Sequence, residues 1–276
     1  MRYGFNTFNH TVWFGLPPTL PAQIDAAADA GFDCVGLDVA SLLAHEAAGL
    51  PPSAIAEQMA ARSIALHELA FLGLSGDRDR ARRDLDDVLR LVEALRPAQV
   101  EGVILGGLDA ACVEATRTAT AALAANGVVL CLEYVTGMPV DSIVQARELV
   151  EAVGRPEAGV CVDAFHFFHG PDTWADLEAL PLAELALVQC EDALAIPPGV
   201  AAGAEPVLHG RALPGEGHLD LARFARCLVE KGYDGVVSVE ACSRIWRERP
   251  IGEFARAALA TTRAVWERAG ARVGGG

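Results

Sequence analysis

Long apolar runs are missing from this chain, and with them any segment able to span a membrane. Residues 1–6 lack the apolar stretch of a signal peptide, so the cytoplasm is the expected compartment. No CxxC pair occurs either. The seven cysteines, an odd number, stand at Cys34, Cys112, Cys131, Cys161, Cys190, Cys227 and Cys242, several of them inside apolar runs. Buried free thiols in a reducing compartment explain this better than disulfides or a zinc site. Aromatic residues are scarce at 6%, whereas hydrophobic residues reach 52%, carried mainly by Ala, Val and Leu. That composition favours many helices around short buried strands over a β-sandwich. Positive charge is in short supply too, with a formal net charge of −15. A surface so acidic repels phosphate backbones and anionic headgroups, which argues against nucleic-acid and membrane partners.

What is present is alternation. Eight short apolar runs, at 3–5, 34–37, 64–66, 102–105, 128–132, 159–162, 185–188 and 236–239, are each too short for a helix. Most are rich in Val, Ile or Leu, as strands buried on both faces should be. Helix-like stretches lie between them, at 21–30, 77–95, 109–125 and 141–153. Several open on Asp and close on Gly, the usual asymmetry of helix caps. Strict alternation of strand and helix implies a parallel sheet with right-handed crossovers. Eight such units in 276 residues predict a single (β/α)8 barrel, a fold that typically needs about 250 residues. One domain over 1–272 is expected, with 273–276 as a flexible tail. The connection from 193 to 217 has many Pro and Gly residues and little periodicity. So long a connection inside a compact domain suggests a lid or binding loop.

Polar residues end the later strands. The fifth run closes on Glu133, the sixth on Asp163, the seventh on Gln189 and the eighth on Glu240. In a closed barrel these ends surround one space, and three carboxylates meeting there repel one another unless a cation neutralises them. Four oxygen donors without thiolate or imidazole predict one hard divalent ion, Mn²⁺ or Mg²⁺. His166, three residues after Asp163, is a candidate acid/base or substrate contact, and His169 is the weaker neighbour. Arg211, in the segment 209–217, offers a fork for a substrate oxygen. Asn9, His10, Trp13 and Phe14 follow the first strand, where a ring can cover the apolar face of a sugar. His67 and Glu68 are expected to end the third strand and face the substrate. Gly106 and Gly107 after the fourth strand suggest close backbone approach, without a dinucleotide fingerprint.

The pattern resembles the xylose isomerase-like TIM-barrel superfamily over essentially the whole chain. The resemblance rests on Leu132-Glu133, Asp163-Ala164-Phe165-His166, Arg211 with Pro214-Gly215-Glu216-Gly217, and Gly232-Tyr233-Asp234-Gly235 leading to Ser238-Val239-Glu240. It implies that Glu133, Asp163 and Glu240 are metal ligands and that His166 contacts substrate. It further implies an isomerase or epimerase of a sugar-like hydroxyketone, in which Glu133 and Glu240 exchange a carbon-bound proton through an enediolate. The partner is then a small polyhydroxylated substrate, and self-association, common in such relatives, leaves a homo-oligomer open. One position departs. Epimerases of this kind carry His at the seventh-strand ligand position, where this chain has Gln189. Val188-Gln189-Cys190-Glu191-Asp192-Ala193 looks more like the bacterial 3-dehydroshikimate dehydratases, so a lyase that expels a β-hydroxyl is the alternative. Endonuclease IV-type enzymes share the barrel, but they use more histidines and a basic face that this chain lacks. A non-enzymatic barrel is the last option; failure to bind metal would favour it.

Overall fold

The computed structural model describes residues 1–154, 157–195 and 209–272. The expected tail at 273–276 lies outside the described residues. Eight parallel strands close into a barrel: β1 (Arg2–Asn6), β2 (Cys34–Asp38), β3 (Ala65–Leu74), β4 (Gln99–Ile104), β5 (Val129–Glu133), β6 (Ala158–Asp163), β7 (Leu185–Gln189) and β10 (Val236–Val239). Neighbours follow chain order, and β10 closes the ring against β1. β2, β4 and β6 are buried along their whole length, as a parallel sheet sheathed by helices requires. This is the single (β/α)8 barrel the alternation predicts.

The sheath is built by local signals. Among its helices are α1 (Leu20–Ala30), α2 (Arg78–Leu95), α3 (Ala110–Ala124) and α4 (Ile143–Val153). Asp77, Asp109 and Ser142 cap α2, α3 and α4 by accepting backbone N–H groups in the first turn. α1 carries Pro21 in its first turn and ends at Gly31 in the left-handed conformation. The closing helix, which runs from Ile251 to Arg268, packs against α1 across the seam. The few aromatics mark the interface between the layers: Phe5 of β1 meets Phe32 and Phe254 edge-on, with ring centroids 5.4 and 5.6 Å apart.

Two strands differ from the sequence reading. β3 runs on to Leu74, with a register shift between Leu69 and Leu72, so His67 and Glu68 lie inside it and not at its end. β4 starts at Gln99, which brings Glu101 into the strand. The long connection after β7 is pinned at both ends by a two-residue antiparallel pair, β8 (Asp192–Ala193) with β9 (Arg211–Ala212). Its residues 196–208, where a lid was expected, lie outside the described residues. Gly217 belongs to this anchor: a Cβ there would collide with the Asp192 carboxylate and the Ala193 carbonyl. Asp192 instead accepts the Gly215 and Leu219 amides, both at 3.0 Å.

Candidate active site

The staggered register of the ladders brings the strand-end residues to one mouth, with Asp163 level with Gln189 and Glu133 and Glu240 each offset by two residues from their neighbours. Val103 pairs with Glu133, Glu133 with Cys161, Asp163 with Gln189, and Gln189 with Ser238. Asp163 also caps the short helix that follows it, accepting the His166 amide at 2.9 Å, and that turn carries the imidazole back over the mouth. Ligand atoms of Glu133, Asp163 and His166 thereby lie within 4.8 Å of one another. Glu240 stands beside this trio, held by Asn6 Nδ2 at 2.9 Å and Gln189 Nε2 at 2.8 Å. Arg211 arrives from β9. Its Nη1 donates to Asp163 Oδ2 at 3.1 Å, its guanidinium lies 4.4 Å over the Phe165 ring, and its Nε, buried, has no hydrogen-bond partner among the described residues.

A cavity of about 300 Å³ opens above these groups. Glu101, Glu133, Glu240, His166 and Arg211 form its polar side, and Phe8, Trp13, Phe14 and Phe71 are part of its apolar side. Trp13, an expected substrate contact, lines this cavity. Two other expected contacts, His10 and His67, are not among its lining residues. His10 is buried with its ring 5.3 Å from Phe254, packed into the helical layer. His67 sits near the start of β3, with Arg2 among the charges acting on it, toward the opposite end of the barrel. His169 stacks on Phe165 at 4.2 Å and bonds its carbonyl, a packing role.

The sequence profile of the xylose isomerase-like TIM barrel matches residues 24–264. The chain belongs to that family. Among its named relatives, it is similar to the inosose isomerase of Halalkalibacterium halodurans, 32% identical over 143 residues, 51% of this chain and 49% of that protein. It is also similar to the 3-dehydroshikimate dehydratase of Pseudomonas putida, 26% identical over 246 residues, 85% of this chain and 38% of that protein. The chain thus spans about half or less of the length of these relatives. In fold it is similar to the IolI protein solved with a zinc atom, at a TM-score of 0.86 and 20% identity, covering 97% of this chain and 99% of that one. D-psicose 3-epimerase from Clostridium cellulolyticum H10, solved with D-tagatose, superposes at a TM-score of 0.73 and 18% identity, covering 96% and 99%.

In this xylose isomerase-like barrel the electrostatics of the mouth are set by its buried acids. Burial, and then the charge of Asp163, push Glu133 up to about 8. Glu240 and Glu101 are raised well above the ordinary carboxylate range, by burial first and by Glu133 second. Asp163 is the exception: burial raises it, but His166 and Arg211 outweigh that and hold it down to about 2. Burial lowers His166 to about 4, so the ring is neutral at pH 7 and Arg211 is the charge that keeps Asp163 ionised. Without a cation Glu133, Glu240 and Glu101 are thus driven toward their protonated forms, and ionising them together needs more positive charge than one guanidinium, which a divalent ion would supply. Glu133, Asp163 and His166 are the residues placed to hold one. Gln189 differs from its expected role. Its amide oxygen accepts from Cys161 Sγ at 3.3 Å, while its nitrogen donates to Glu101 at 3.0 Å and Glu240 at 2.8 Å. Ligation through the oxygen requires the amide to turn over. Glu101, unnoticed in the sequence, is the partner that favours the present orientation.

Proposed function

We propose that the chain is a divalent-metal-dependent isomerase or epimerase of a hydroxyketone, working by proton transfer at the carbon beside the carbonyl. The observation that carries this reading is that Glu133 and Glu240 line one cavity together with His166 and Arg211. Two carboxyl groups on one cavity supply what such a transfer needs, one to take the proton and one to return it. Glu133 takes the carbon-bound proton, and Glu240 delivers one to the same or the adjacent carbon. The Thr136 amide faces His166 Nδ1 at 3.3 Å and Arg211 Nη2 faces its Nε2 at 3.4 Å, with Nε2 3.5 Å from Glu133 Oε1. In this reading the neutral imidazole contacts a substrate oxygen beside the reacting carbon. Arg211 offers its unpartnered Nε–H to the negative charge that develops on oxygen. The ion, Mn²⁺ or Mg²⁺ held by Glu133, Asp163 and Glu240 with His166 or Gln189, supplies Lewis-acid polarisation of the carbonyl when bound.

A lyase is the second reading, favoured by Gln189 and by the 85% of the chain that matches the Pseudomonas putida dehydratase. The same proton abstraction then ends with loss of a β-hydroxyl, which takes a proton from a carboxylic acid of the site and leaves as water. NMR in D₂O with Mg²⁺ and a panel of ketoses, inososes and 3-dehydroshikimate tests both. Deuterium beside a carbonyl supports the common step, and the product separates isomerase from lyase. No incorporation across the panel, in protein that binds the metal, would refute the proposal.

A further inference from the structure

We propose that Glu191 is the positioning residue for Arg211, receiving its guanidinium when a divalent ion takes Asp163. This rests on the reading of the mouth as a metal site, and it adds a residue that is not among those lining the cavity. Arg211 makes its charged contacts with two groups that the ion needs. Its Nη1 lies 3.1 Å from Asp163 Oδ2, and its Nη2 faces His166 Nε2 at 3.4 Å. The other Asp163 oxygen accepts the His166 amide at 2.9 Å. A divalent ion held by Asp163 and His166 therefore meets the guanidinium on the same acceptors, and two positive groups so close in a buried site repel strongly. Arg211 must give way. Its backbone is fixed by the pairing of β9 with β8, where Arg211 stands opposite Ala193, so the adjustment falls to the side chain.

Glu191 offers the nearest new seat. Its carboxyl is fully buried just beyond β7, and its Oε1 stands 3.9 Å from Arg211 Nη1. A shift of about 1 Å turns that separation into a hydrogen bond. Oε1 also accepts the Phe165 amide at 2.7 Å, and the guanidinium lies 4.4 Å over the Phe165 ring. The acceptor and the surface over which the guanidinium slides are thus tied into one unit. Glu191 Oε2 is buried with no hydrogen-bond partner among the described residues. A buried oxygen without a donor is costly, and a guanidinium has five N–H groups to offer. Charge acts in the same direction. Asp163 repels Glu191 while Arg211 attracts it, and an ion that neutralises Asp163 removes the repulsion and leaves the attraction. Seated on Glu191 through Nη1, Arg211 keeps its Nε, unpartnered among the described residues, for the cavity it lines.

The test is titration calorimetry with Mn²⁺ alone on the unmodified protein, Glu191→Gln, Arg211→Met and the double variant. Glu191→Gln keeps an oxygen for the Phe165 amide and gives up the charge and the second acceptor. It should weaken Mn²⁺ binding about ten-fold, because the guanidinium then stays on Asp163 and competes with the ion. In the Arg211→Met background the same substitution should cost less than about three-fold. A through-space effect of the Glu191 charge, or a local distortion, costs the same in both backgrounds; that result overturns the proposal, as does an unchanged Kd in Glu191→Gln. NMR of the unmodified protein gives an answer that does not depend on how the Glu191 variant folds. The Arg211 Nη–H signals, assigned by their loss in Arg211→Met, should shift on Mg²⁺ loading and stay protected from exchange. Signals that keep their positions, or that exchange rapidly once the ion is bound, also overturn it. These failures, in protein that binds the ion, leave the metal reading intact, whereas absence of Mn²⁺ binding by the unmodified protein overturns both. The expected pattern without deuterium exchange in any ketone would leave Glu191 in its role and remove the hydroxyketone chemistry.

Discussion

Gln189 ties together two buried carboxyl groups at the barrel mouth. Its Nε2 serves Glu101 and Glu240 at once, and both acids are buried. Gln189→Leu keeps the volume and removes the donor, leaving each acid short of a hydrogen bond. The expected cost is about 2–3 kcal/mol in urea unfolding of the metal-free protein, and a loss below about 0.5 kcal/mol would contradict this account. Glu133→Gln and Glu240→Gln act differently. Each keeps the shape and removes a base, so deuterium exchange should fall by about 10²–10⁴-fold with the circular dichroism unchanged; full activity in both variants would exclude the paired-carboxylate mechanism. Glu133, Asp163, Gln189 and Glu240 were legible in the sequence because each closes an apolar run, where a polar residue has no packing reason to be. Glu101 was not, since it stands between Val100 and Gly102 inside β4 and points to the barrel interior with the strand's period of two. The available signal was a charge within a buried strand, which must have a partner.

β3 shows how an element can hide a residue's address. His67 and Glu68 are adjacent and polar, and two polar residues in succession look like the end of a strand. In a strand they point to opposite faces, so Glu68 enters the barrel, where Ser238 Oγ donates to it at 2.7 Å, while His67 leaves it. Helix ends were easier to read, because Asp77 and Asp109 act locally through their own first turns, whereas the extent of β3 depends on a bulged register with β4. The buried Glu68 carboxylate occupies space that β2 yields with a glycine: a Cβ on Gly36 would collide with Glu68 Oε1. Gly36→Ala must displace that carboxyl or spread the strands. A loss of about 1–3 kcal/mol is expected in thermal or urea unfolding. An unchanged midpoint would show that the interior has slack beside β2.

Across the whole molecule the buried groups divide into two sets that act on stability in opposite directions. His10, His67 and His166 are each lowered by burial to about 4, against an ordinary value of 6.5. Folding therefore favours their neutral forms, and that contribution is complete above about pH 6.5 and lost as pH falls toward 4. Glu68 is raised by burial to about 7 and Glu133 to about 8, from 4.5. Folding favours their protonated forms, so their contribution is complete below about pH 4.5 and lost as pH rises through 7 and 8. Between pH 4.5 and 6.5 the two sets oppose each other. From 6.5 to 8 only the carboxyl groups still change; Glu68 and Glu133 alone cost the metal-free protein on the order of 2 kcal/mol over that window, and Glu101 and Glu240 act in the same direction. A divalent ion reverses the preference at Glu133, because it binds the ionised carboxylate and displaces a proton as it does so. The rise in melting temperature on adding Mn²⁺ should therefore be larger at pH 8 than at pH 6.5. A metal-free melting temperature that climbs from pH 6.5 to 8, or an Mn²⁺ effect that shrinks over the same interval, would mean that the acids of the barrel mouth are already ionised without a cation, and the argument for a metal from their crowding would fail.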